Sequence, residues 1–150
     1  MAINDKVIDV LNDLIENAKD GQYGFAKCAE RVKSPQLRET LLRRSADCAS
    51  AVAELQGLVV QRGGKPAEHG SVLGALHRGW VSVKDAVTAD SDHAVLEECE
   101  RGEDAAVARY RAALKEEGLP TDIRNVLARH MAGAQANHDQ VKALRDTTPH

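Results

Sequence analysis

Leu96-Glu97-Glu98-Cys99-Glu100-Arg101-Gly102-Glu103-Asp104-Ala105-Ala106-Val107-Ala108-Arg109-Tyr110 is the stretch on which the reading of this chain turns. It has no proline and is rich in Glu, Ala and Arg, so it reads as a helix. Wound at about 100° per residue, one face collects Leu96, Cys99, Glu103, Ala106, Val107, Tyr110 and Leu114. A carboxylate therefore stands mid-stripe, where an ordinary bundle carries Leu. A charge brought into an apolar interior needs a partner there.

Outward from this helix, the prolines punctuate the chain. Pro35, Pro66, Pro120 and Pro149 fall where the helical period breaks, and none interrupts a periodic run. A first helix is expected over about 4–33, with Val7, Leu11, Leu14, Ala18, Gln22, Phe25, Ala29 and Val32 inward. Its stripe keeps phase across Gly21 and Gly24, which predicts one helix, weakened or bent there. Ser34-Pro35 starts a second, over about 35–62, which Gly63-Gly64 ends. Ser71 caps a short third helix to about Ala89, carrying His77 and Trp80. Ser91 caps the fourth, to about Glu117, and Gly118-Leu119-Pro120 breaks it. The last begins at Thr121 or Asp122, with a frayed tail over 146–150.

The remaining composition fits. The chain has 150 residues, enough for one domain with a real core, and its aromatics are only Tyr23, Phe25, Trp80 and Tyr110. The net charge of −3 is interspersed, and no Lys/Arg block offers an electrostatic footprint for nucleic acid. No apolar run approaches the roughly 18–20 residues of a membrane span, and no signal peptide is visible at Met1-Ala2-Ile3-Asn4-Asp5. Cys28, Cys48 and Cys99 lack a CxxC spacing and read as reduced core thiols of a cytoplasmic protein.

Tight breaks make antiparallel hairpins of the first and second helices and of the fourth and fifth. The long connection between them holds the short helix and can travel the length of a bundle. Two helical hairpins joined by one long crossover is the ferritin-like connectivity. The expected fold is therefore all-α: a single ferritin-like four-helix bundle over 1–150, with an additional short helix in the crossover.

Several motifs carry a family resemblance. Val10-Leu11-Asn12-Asp13-Leu14-Ile15-Glu16, Lys19-Asp20-Gly21 and Gly24-Phe25 come first. Gly70-Ser71, Gly74-Ala75-Leu76-His77-Arg78 and Trp80 follow. Glu98 to Asp104 with Tyr110, and Asn137-His138-Asp139-Gln140-Val141, complete the set. Together they resemble a bacterial family of uncharacterised ferritin-like four-helix-bundle proteins with pseudomonad members. The resemblance implies the fold and carries no activity over.

Ferritin-like di-iron proteins take a Glu from each of two helices and a Glu-x-x-His from each of the others. In this chain the last helix has Gln135-Ala136-Asn137-His138, with Gln in place of Glu, and the second helix has no His. Glu103 and His138 are the survivors in inward positions, with His130 and Tyr110 as further candidates for a single metal ion. The competing expectation pairs Glu103 with Arg44, which projects inward from the second helix. Gln22, Tyr110, Asn137 and His138 would complete a buried polar network. That network replaces a degenerate metal site, so no catalytic residue and no cofactor are assigned.

The leading expectation is a non-catalytic bundle, stress-associated by its ferritin-like kinship, cytoplasmic and homodimeric, without nucleic acid or membrane as partner. One alternative is an iron- or manganese-binding oxidase or iron-handling protein with a reduced ligand set. Another is an interaction module that uses His77 and Trp80 of the crossover helix.

Overall fold

The computed structural model of the chain describes residues 2–67 and 91–149. Four helices make up the described fold: α1 (Ala2–Arg31), α2 (Pro35–Gln61), α3 (Asp92–Leu114) and α4 (Thr121–Thr147). With 30, 27, 23 and 27 residues, they run about 35–45 Å each.

The helix ends follow local chemistry. Ser34 accepts from the Leu37 N–H at 3.3 Å, with Pro35 in the first helical turn, and Ser91 accepts from Ala94 N–H at 3.2 Å. Gly63 ends α2 with φ of 75°; its N–H reaches Val60 O and that of Gly64 reaches Val59 O, a Schellman closure. A side chain at Gly64 would also collide with Ile8, 2.8 Å from where its Cβ would stand. α3 stops at Leu114, short of Glu117, and Arg124 donates at 2.7 Å to both Leu114 O and Glu116 O. The guanidinium thus serves carbonyls that the end of a helix leaves without partners. α4 carries on to Thr147, past the point where fraying is expected.

α1 is one helix through both glycines. Gly21 is buried because α2 comes close there: a Cβ would sit 3.0 Å from Cys48 Sγ. Gly21, one of the two glycines expected to weaken the helix, is a contact point between α1 and α2.

Cross-links fix the arrangement. Asp13–Arg109 joins α1 to α3 and Lys6–Glu116 joins α1 to the turn just after α3, and the two spacings together make the helices antiparallel. Asp92 accepts from Lys33 N–H at 2.7 Å and Ser34 N–H at 3.1 Å, so the start of α3 clasps the α1–α2 turn. Glu54–Arg129 and Arg62–Asp122 set α2 antiparallel to α4. α2 therefore ends at one end of the bundle and α3 begins at the other, as a long crossover between two hairpins requires. The expected short helix, with His77 and Trp80, lies outside the described residues.

Two large apolar layers, with a small third cluster of Ala106, Val107 and Ala134, fill the described bundle. One gathers Phe25, Val32, Leu41, Leu96, Cys99 and Val141; the other gathers Leu11, Leu14, Leu55, Val59, Ile123 and Leu127. Between them lies a polar waist.

Candidate functional site

The waist is built around Glu103, 1% exposed at the middle of α3. Arg44 of α2 meets it in a two-pronged contact, Nε donating to Oε2 at 2.7 Å and Nη2 to Oε1 at 3.1 Å. Asn137 of α4 donates its side-chain amide to the same Oε2. The guanidinium carbon lies 5.8 Å from the centre of the Phe25 ring on α1. All four helices thus supply a side chain to one cluster. Burial pushes the Glu103 carboxyl upward, while the Arg44 and Asn137 hydrogen bonds favour its charged form. Burial opposes the Arg44 charge too, yet the acidic groups around it hold the guanidinium firmly protonated.

A cavity of about 270 Å³ opens beside this pair, where α2 and α4 stand apart. Its wall includes Arg44, Asp47, Cys48, Glu54, Tyr110 and His130. A chain of contacts crosses it. His130 Nε2 lies 2.7 Å from Glu54 Oε1, and its Nδ1 lies 3.4 Å from the Tyr110 hydroxyl. Arg129 donates to the other Glu54 oxygen. A neutral imidazole with its proton on Nε2 satisfies both neighbours, donating to Glu54 and accepting from Tyr110. Burial raises the Tyr110 hydroxyl above its ordinary range and pushes the Cys48 thiol up to about 12, so both stay protonated.

This geometry predicts a pH dependence. Burial pushes the His130 imidazole below its ordinary range, against the Glu54 hydrogen bond that favours the cation. Hydrogen bonds from Arg129 and His130 hold the Glu54 carboxyl below the usual carboxylate range. A depressed folded-state value means stability that is full above the unfolded value and lost as pH falls. His130 acts first, as pH drops through about 6.5, and Glu54 only in stronger acid. Between about pH 7.5 and 5.5 the melting temperature falls more steeply for the wild type than for His130→Gln. Equal slopes would show that His130 titrates alike in the folded and unfolded chain.

The sequence-derived candidates scatter across this map. Arg44, Glu103 and Asn137 meet, and Tyr110 and His130 meet beside them. Gln22 does not join: its side chain is exposed, and only its backbone carbonyl is used, by the Ser45 hydroxyl at 2.8 Å. The buried face of α1 passes through Gly21 instead, which rotates Gln22 to solvent. His138 stands apart from Glu103, with Nε2 turned to Asp104 at 2.8 Å and to Glu100 at 3.5 Å. Other polar residues are more buried than their helical phase suggests. Asp20 is 3% exposed and Glu98, bonded to Arg101, is 1% exposed. His93 is buried as well, with Nδ1 at 2.9 Å from Thr148 O.

The model of a family described as "Domain of unknown function (DUF2383)" matches residues 6–116. The chain belongs to that family. No curated protein matches it. Among solved structures it is similar to a mutant of Mycobacterium smegmatis Dps1, with a TM-score of 0.80 at 14% identity. The likeness covers 96% of this chain and 97% of that one, and it shows a shared ferritin-like four-helix bundle.

The di-metal centre that this fold implies can be tested against the donors in this DUF2383 chain. Asp47, Glu54 and Glu103 are the carboxylates on the cavity wall and His130 is its imidazole. Both Glu103 oxygens accept from Arg44, and both Glu54 oxygens are engaged by His130 and Arg129. A guanidinium at the centre repels any cation brought beside it. These residues do not fit a pair of metal ions.

Proposed function

We propose that this chain is a non-catalytic ferritin-like domain, one unit over 1–150, whose interior holds an ion pair in place of a metal centre. The observation that carries the reading is the Arg44–Glu103 contact at 2.7 Å. The pair takes the position and the ligand oxygens that a metal would need, and it joins α2 to α3 across the bundle. A buried, fully bonded pair of this kind specifies which helices face each other more than it stabilises them. Self-association as a homodimer, a cytoplasmic setting and a stress-linked role belong to the same reading. They rest on fold kinship and on the features of the sequence; among the described residues no helix is long and apolar enough to cross a membrane.

The test is iron oxidation. Protein loaded anaerobically with Fe(II) and then exposed to oxygen should oxidise iron no faster than buffer and should develop no protein-dependent absorbance band. A pair of irons held per chain, with rapid oxygen-dependent absorbance, would overturn the reading and restore the oxidase alternative.

A further inference from the structure

Glu100 and Asp104 stand one turn apart on α3, so their carboxylates share a face. His138 reaches toward them from α4. Nε2, one Glu100 oxygen and one Asp104 oxygen all lie within 4.8 Å of one another, the only such group of three among the described residues. This cluster is outside the interior cavity, and none of its members lines that cavity.

Its surroundings are organised around the imidazole. On the far side of the ring, Nδ1 lies 3.1 Å from Asp139 Oδ1, and Asp139 in turn accepts from the Gln135 amide at 3.0 Å. With the proton on Nδ1 and donated to Asp139, the Nε2 lone pair points at the two α3 carboxylates. Lone pairs converging this closely need a proton or a cation between them, and a metal ion bound here takes the place of that proton. A carboxylate behind the imidazole is also the arrangement that orients a histidine as a metal ligand. Glu100 is anchored through its other oxygen by Arg145, which leaves Oε2 facing the gap. Asp104 is largely exposed, so water can complete a coordination shell.

We infer that Glu100, Asp104 and His138 form a binding site for a single divalent transition-metal ion on the α3–α4 face. Two carboxylate oxygens and one imidazole nitrogen suit manganese, iron or zinc. Three protein ligands with open positions place the site among reversible cation sites. A bound ion would tie α3 to α4 outside the interior cavity, adding stability by mass action that grows with the logarithm of its concentration. Because its ligands are different from those of the interior, this site stands or falls separately from the reading of the waist.

Zinc is the probe. The full chain, free of any affinity tag, is titrated with zinc chloride in a calorimeter at neutral pH, beside Asp104→Asn, His138→Gln and Glu54→Gln. Asp104 is a surface position, so its variant folds as the wild type does, and far-UV circular dichroism confirms this for all three. The expected result is one zinc per chain for the wild type and for Glu54→Gln, with affinity reduced at least tenfold in Asp104→Asn and in His138→Gln. Zinc should also raise the melting temperature of the wild type and leave that of His138→Gln unmoved. Undiminished affinity in Asp104→Asn and His138→Gln, loss of binding in Glu54→Gln alone, or no binding by the wild type at millimolar zinc would each overturn the assignment.

Discussion

Glu103→Ala lowers the stability of the folded chain by about 2–4 kcal/mol, read as a shift in the midpoint of urea unfolding. Truncation removes the acceptor that holds both prongs of Arg44, whose side chain is only 14% exposed. The guanidinium cannot shed its proton, so it stays charged with its main partner gone. Asn137 loses its acceptor as well, because its amide donates to the same oxygen. The cavity beside the pair admits water to Arg44, which keeps the loss below that of a wholly dry charge. Removing both charges together changes the sign of the argument. Arg44→Met combined with Glu103→Leu leaves no orphan and adds apolar contact, so the double variant recovers most or all of the loss. A double variant as unstable as Glu103→Ala, or a single variant that melts like the wild type, would remove the ion pair from the centre of this account.

Phe25→Ala is the second large effect, at about 3–5 kcal/mol. Phe25 is the one phenylalanine of the chain and is 1% exposed. It fills the apolar layer next to the waist, among Cys28, Leu41, Cys48 and Leu96. Its loss leaves a void that helices held at both ends close only in part. It also withdraws the aromatic face under the Arg44 guanidinium. Phe25→Leu keeps most of the volume and costs about half as much or less. Comparable losses for Ala and Leu would mean that the ring face over Arg44, rather than packing volume, sets the effect.

Most of the fold was legible because its signals are local. Ser34-Pro35, Ser91, Gly63-Gly64 and Gly118 mark helix ends through chemistry that acts within a few residues. Arg44 and Glu103 each lie on an inward stripe by helical period alone. What escaped the sequence depends on which helices are neighbours. Gln22 falls in phase with the α1 stripe, yet the close approach of α2 at Gly21 turns the buried face away from it. Glu98 lies outside the single stripe assigned to α3. That helix packs on both α1 and α4, so its buried face is wider, taking in Val95, Glu98 and Gly102 beside the expected positions. The Glu54–His130 contact joins residues 76 apart in sequence, and no spacing within either helix announces it.

One property of the waist concerns motion rather than composition. Phe25, Arg44, Glu103 and Asn137 come from four different helices and converge on one carboxylate and one guanidinium. None of the four described helices can peel away from its neighbours without disturbing this shared knot. Partial opening by one hairpin strands a charge in the other, so intermediate states are disfavoured. The bundle therefore lacks an easy first step toward unfolding through its middle. Its amide hydrogens near residues 44, 103 and 137 are expected to exchange together in a hydrogen-exchange experiment, at the rate of global opening.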